Sequence, residues 1–315
     1  MNNSGFDHFN NNVKGQNQLI NIPLENFHHE DIEELAALAQ WFQRRGEKNV
    51  AVIVPNQKGK WKTKNQGVLG ILLAVQPYFR KNTPLAKELA NFHNIGSSLQ
   101  VRNLDGTPYV NGVDYWMNRL DDLLERYKEC QKSKTLSDFE KQFKEVFPYF
   151  SGLGENAIQY MVDLRIEQRI TEPPTICHHR FTNNTWAFGQ LWVKSPADWV
   201  IDHPARDLAE WMRAAVWEGR SYQDISMFLR EYHEEKPVTP LSKSLIMGRL
   251  LFPLPFIELC EAYFEDNQRH EQIYEDALFK TLSQTERYES FLKRYAQANM
   301  AEIKSVDWLL SNVQR

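Results

Sequence analysis

Cysteine is scarce in this chain. Cys130, Cys177 and Cys260 are odd in number and far apart, with no CxxC pair among them. That suggests neither a disulfide framework nor a cysteine-based zinc site, and a reducing compartment is expected. Long apolar runs are also missing. The stretch 67–75 is short and flanked by Lys and Arg, well under the roughly 18–20 residues that a membrane helix needs, so no membrane insertion is expected. The first twelve residues are rich in Asn and lack the apolar centre of a signal peptide, so none is expected and the chain is read as made in the cytoplasm. Excess positive charge is the third absence. With 37 Lys and Arg against 41 Asp and Glu, the formal net charge is −4, and without a basic excess to gather phosphates nucleic acid is excluded as a partner.

What remains is ample material for a core: 42% hydrophobic residues and 12% aromatics over 315 positions, enough for about two globular units. Residues 1–16 read as a disordered tail. A short apolar strand follows over 19–24, then a helix starting near His29 or Glu30 with Ile32, Leu35, Leu38, Ala39 and Phe42 on one face, stopped at Gly46. Residues 50–54 form a β-branched run, 56–59 a turn, and Trp61 and 68–75 begin two further strands. From residue 77 the pattern turns helical: an opening at Thr83-Pro84, then 113–130, 139–147 and 156–170. A β island spans 175–193, and helices resume over 207–218, 222–233, 242–251 and from 256 onward. The expected organisation is a small α+β N-lobe over 17–76 and a mainly helical C-lobe over 77–315 carrying the β insertion.

Three stretches carry a resemblance. Residues 85–99 (LAKELANFHNIGSSL), 176–186 (ICHHRFTNNTW) and 202–211 (DHPARDLAEW) resemble, in order, the post-hinge helix, the catalytic loop and the Asp-Pro-x-x-Asp-Leu-Ala helix start of the aminoglycoside-phosphotransferase branch of the protein-kinase-like superfamily. The resemblance implies a bilobal kinase-like fold, ATP as phosphate donor, and magnesium held by an Asn and an Asp. Laid on the family's loop, His178 keeps the first position, while the catalytic Asp falls on Arg180 and the metal-binding Asn on Thr185, beside Asn184. The strand that carries the metal-binding Asp matches Lys194 or Ser195, and neither replaces a carboxylate for a hard cation. An arginine stays protonated and cannot serve as a base at neutral pH. The strand 19–24 has no phosphate-gripping lysine (Lys14 precedes it), no glycine-rich loop stands before it, and Glu33 or Glu34 lacks a lysine partner.

Within that superfamily the chain is most similar to the YutH-like group of CotS-type spore coat proteins of endospore-forming bacteria, through 40–61, 115–127, the CHHRFTNNTW loop and 198–213. This implies a catalytically degenerate, kinase-shaped protein: a pseudokinase made in the mother cell that joins the spore coat, has other coat proteins as partners, and needs no cofactor or metal beyond weak ATP binding. The alternative from the same residues is an active ATP-dependent small-molecule phosphotransferase in which Asp198 or Asp202 takes over the missing carboxylate roles.

Other features have plainer readings. Lys58, Lys60, Lys62 and Lys64 alternate and would share one face of an extended hairpin, as a docking patch for an acidic partner or as a solvated, edge-protecting turn. His28-His29 and His178-His179 lack a third ligand at suitable spacing, which favours structural histidines. Cys177 beside two histidines could be an activated thiol, but its place at a strand end favours burial. Trp186, Trp192, Trp199, Trp211 and Trp217 read as core.

Overall fold

The computed structural model describes residues 12–14, 17–27, 31–65, 67–99, 107–167, 172–266 and 270–310. The chain divides into two compact units, the first made of Met1–Asn103, Pro173–Asp207 and Met227–Pro237, the second of Leu104–Glu172, Leu208–Ser226 and Val238–Arg315.

The first unit holds β1 (Asn12–Lys14), β2 (Asn17–Pro23), α1 (Ile32–Arg44), β3 (Val52–Val54), β4 (Lys62–Asn65), β5 (Val68–Val75) and α2 (Leu85–Gly96). After residue 172 it adds β6 (Thr175–His178), β7 (Ala187–Phe188), β8 (Leu191–Trp192) and β9 (Trp199–Asp202). The antiparallel sheet runs β1-β2-β5-β3, with β4 also on β5. Of the segment expected as a tail, 12–14 pairs with β2, and the remainder lies outside the described residues. So do His28, His29 and Glu30. Helix α1 starts instead at Asp31, whose carboxylate accepts from the N–H groups of Glu33 and Glu34, the usual role of an N-cap Asp. It ends where Gly46 takes a φ of 101°, a conformation that side chains with a Cβ avoid.

Strand β5 puts Ile71, Leu73 and Val75 on the buried face, and α1 meets the core with Leu35, Ala36, Ala39 and Phe42, the two periodicities of strand and helix on one core. Phe42 stacks on Phe92 of α2 at 4.6 Å and packs on Trp199 at 5.0 Å. Where α2 crosses β6 the contact needs Gly96, because a Cβ there would lie 2.3 Å from Thr175 Oγ1 and 3.0 Å from Ile176 N. The lysines at 58–64 are all exposed, but only Lys62 and Lys64 lie on a strand. Lys58 and Lys60 belong to a turn organised by Asn56, whose Oδ1 accepts from both their N–H groups. A shared strand face therefore does not exist.

The second unit is helical: α3 (Pro108–Lys132), α4 (Asp138–Glu167), α7 (Pro240–Leu251), α8 (Leu254–Glu265), α9 (Glu271–Ala298) and α10 (Asp307–Leu310), while α5 (Ala205–Trp217) and α6 (Tyr222–Glu235) have residues in both units. The two helices expected over 139–147 and 156–170 are one, α4, with Pro148 inside it. A proline there costs about 3 kcal/mol of helix preference. Phe139, Phe143, Phe147 and Phe150 recur at helical spacing and are all buried, with Phe139 on Tyr263 and Phe150 on Phe256, each at 3.9 Å. Their burial outweighs the local preference.

Candidate functional site

The segment 175–207 is built around a two-stranded ladder in which Thr175 pairs with Asp202 and His178 with Trp199, every residue of both strands buried. At its centre is Asp207, fully buried in the first turn of α5. Its Oδ1 accepts from the His178 N–H at 2.8 Å, and its Oδ2 from His178 Nδ1 at 2.7 Å and His93 Nε2 at 3.1 Å. A carboxylate has only acceptors, so both imidazoles must present N–H groups to it. The other nitrogens agree: His178 Nε2 accepts from the Trp186 indole N–H at 2.9 Å, and His93 Nδ1 lies 2.7 Å from the Tyr232 hydroxyl. Desolvation lowers the pKa of His93 against the pull of Asp207, which keeps it neutral. Burial works to raise the Asp207 carboxyl, but His178 and then His93 outweigh it and hold it below the ordinary carboxylate range. An aspartate in the first turn of a helix commonly serves that helix's own free N–H groups. The Asp207 carboxylate instead ties α2 and β6 to the start of α5.

Arg206 was not singled out from the sequence. Its guanidinium donates to the carbonyls of His178 at 2.9 Å and His179 at 3.2 Å and pairs with Asp202 at 3.0 Å. Its pairing with Asp202 follows no helical spacing, because Asp202 ends β9 and Arg206 lies in the first turn of α5. Asp202 is buried and also accepts from the His203 N–H at 2.7 Å, while His203 Nδ1 accepts from the N–H of Ala205 at 3.0 Å. Cys177 is fully buried, its thiol directed at the carbonyls of Asp202 and His203, which is not the setting of an activated thiol. His93, Cys177 and Asp207 bring three potential ligand atoms within 4.8 Å of one another, but both nitrogens of His93 are already committed to Tyr232 and Asp207.

The loop residues sit as follows. Arg180 is half-buried and donates to the carbonyl of His179 at 2.8 Å. The Thr185 hydroxyl accepts from the N–H of Thr182 at 2.8 Å and donates to the carbonyl of Arg180 at 3.2 Å, so it serves the loop's own backbone. Asn184 is exposed. Ser195 caps a short 3-10 turn by accepting from Ala197 N–H. Asp198, in that turn, takes the His179 N–H on its backbone carbonyl at 2.7 Å. Part of Asp198 reaches solvent, yet protein packs closely around its carboxyl. Desolvation pushes its pKa up to about 7, with Asp207 adding to the rise and His178, Arg206 and Arg180 opposing it.

Lys194 is 1% exposed. Its ammonium pairs with Glu47 and lies 3.3 Å from Glu88, with the faces of Trp186 at 4.5 Å and Phe92 at 5.4 Å. Its backbone is held on both sides, N–H to Asn49 carbonyl at 2.9 Å and carbonyl to Ala51 N–H at 3.0 Å. The resemblance implies a magnesium-binding carboxylate at Lys194 or Ser195. A buried ammonium is the wrong charge for that, so Lys194 does not fit as a metal ligand. Glu47 and Glu88 lie 147 and 106 residues before Lys194, and no local pattern announces that they meet.

A helix and a buried ladder that lock a His-led loop onto an Asp at a helix start place the molecule in a class, the protein-kinase-like fold of small-molecule phosphotransferases. Solved structures agree. An aminoglycoside phosphotransferase from Alicyclobacillus acidocaldarius is similar over 95% of each chain at a TM-score of 0.66 and 13% identity. A microcompartment-associated aminopropanol kinase is similar over 90% of this chain and 88% of its own at 0.58 and 12%, and a spectinomycin phosphotransferase over 90% and 86% at 0.57 and 13%. Residues 2–295 match the family described as "Spore coat putative kinase YutH", and the chain belongs to that family. It is 32% identical to the endospore coat-associated protein YutH of Bacillus subtilis (strain 168) over 91% of this chain and 88% of that one.

Proposed function

We propose that this protein is a component of the bacterial endospore coat that uses a kinase-shaped body for binding and assembly and does not transfer phosphate by the route of its fold relatives. The observation that carries the reading is Arg180. At the position where a kinase loop needs a carboxylate to receive the hydroxyl proton, the chain has a permanent cation that donates to its own backbone. Phosphoryl transfer depends on positioning and charge neutralisation. On this reading the metal positions fall on Thr185, whose hydroxyl serves the loop, beside the exposed Asn184, and on the ammonium of Lys194 or on Ser195, which caps a turn. Family membership and the coat association of the B. subtilis relative support synthesis in the mother cell, delivery to the coat, and other coat proteins as partners. Weak nucleotide binding is compatible with the proposal, since Arg180 can attract phosphates.

One observation favours a second reading. Asp198 stands beside the loop with a pKa near neutrality, the range suited to a general base. Asp202, committed to Arg206 and His203, is a poor candidate for the same work. The test is a transfer assay with ATP and magnesium against aminoglycosides, choline-like alcohols and sugars, where no product above a boiled control is expected. Turnover that disappears in Asp198→Ala would replace the first reading with the second.

A further inference from the structure

Two acidic side chains meet the buried ammonium of Lys194. The carboxylates of Glu47 and Glu88 converge on it, and the buried side-chain amide of Asn49 donates an N–H to Glu88 at 3.4 Å. Magnesium is commonly held by one or two carboxylates, with water completing the shell. We infer that Lys194 is itself the cation of this site: a tethered ammonium seated between Glu47 and Glu88 in place of a divalent ion, which makes the join between 193–195 and 47–51 independent of metal.

Three observations carry this beyond an ordinary ion pair. Buried charge is tolerated only when paired, and Lys194 meets two carboxylates rather than one. The remaining negative charge is met by a fixed donor, because Trp192 Nε1 donates to Glu88 at 2.9 Å. Two aromatic faces border the ammonium and add cation–π attraction. The backbone pairing of Lys194 with Asn49 and Ala51 then positions the seat without any ligand. A dication and an ammonium cannot share such a buried point, because their repulsion grows as the dielectric falls. The inference is separate from the proposed inertness: its readout is cation binding, and a transfer assay leaves it untouched.

Manganese is the probe, titrated into the full chain while melting temperature and the Mn2+ EPR signal are followed. Wild type should show neither a shift nor bound manganese. Lys194→Ala, with the seat vacated, should melt lower and regain several degrees in millimolar Mn2+, as a ligand selective for the native state requires. Lys194→Ala/Glu88→Gln should not regain them. Lys194→Met fills the seat without charge and should melt lower with no recovery. A wild-type response abolished by Glu88→Gln, a folded Lys194→Ala that ignores manganese, or equal recovery in Lys194→Met would each overturn the inference. Should Lys194→Ala be insoluble, it is refolded with and without Mn2+, and a yield indifferent to the metal counts against it.

Discussion

Replacing Asp207 with alanine removes one side chain and leaves three buried donors without an acceptor: the His178 N–H, His178 Nδ1–H and His93 Nε2–H. Orphaned buried donors cost about 1–3 kcal/mol each when they cannot reach water, so Asp207→Ala should lose on the order of 3 kcal/mol in urea unfolding. A missing helix cap would cost only about 1 kcal/mol, and a loss that small would argue that the carboxylate merely caps α5. The pH dependence has a definite sign for each group. His93 has its folded pKa lowered by burial, so the unfolded chain binds the extra proton, and stability drains as pH falls below about 6.5. Asp207, held low, adds stability above about pH 4 that is lost in stronger acid. Asp198 works the other way. Its folded pKa of about 7 means the native state holds the proton longer, so its contribution weakens as pH rises from about 4 to 7. Asp198→Asn should therefore melt higher than wild type at pH 8 and match it near pH 4. Equal melting temperatures at pH 8 would show that the carboxyl is not desolvated. Asp207 and His178 could be picked from their motifs, but the sequence does not say that they bond each other, because residues 93, 178 and 207 share no local spacing.

At the scale of elements, the packing of α2 on β6 is decided by a missing methyl group. Gly96→Ala would drive a Cβ into Thr175 Oγ1 and the backbone of Ile176, and overpacking of a close contact typically costs about 1–3 kcal/mol. The loss should appear as a lower melting temperature, and an unchanged one would mean that the crossing is loose enough to part. Strands β2, β3 and β5 were legible because β-branched and apolar residues cluster between turn signals, and the start of α2 because Thr83-Pro84 precedes a helical rhythm. Helix α4 was not. Pro148, Gly152 and Gly154 break local preference, while the reason for continuity is burial of phenylalanines against Phe256 and Tyr263, about a hundred residues away. The lysine alternation misled for a related reason: alternation predicts a shared face only on a strand, and Asn56 had turned half of that segment into a loop.

For the molecule as a whole, the fold is similar to that of a kinase-like phosphotransferase over nearly the full chain, while the proposed reading puts Arg180, Thr185 or Asn184, and Lys194 or Ser195 at the phosphate-transfer positions. The motifs made the fold legible, because their order is imposed by β6, β9 and α5. The ion cluster at Lys194 was hidden, because its carboxylates come from α2 and from the turn after α1. On the proposed reading these substitutions act together, and reversing one should not give activity. Arg180→Asp returns a carboxylate to the loop but leaves the ammonium of Lys194 in place, so ATP turnover in the transfer assay should stay at background. Turnover in that single variant would mean that the remaining machinery is intact.

Asp207 also divides the protons of its two histidine neighbours unequally. His178 must keep its proton on Nδ1, because Trp186 occupies Nε2, whereas His93 must keep its proton on Nε2 and receives one from Tyr232 at Nδ1. The pair are mirror-image tautomers across one carboxylate. In nitrogen-15 spectra they should give two non-exchanging imidazole patterns with protonated and bare nitrogens interchanged, and both ring N–H protons should persist in water. The spectrum of this single junction would then report whether α2, β6 and α5 are joined, without reference to any ligand.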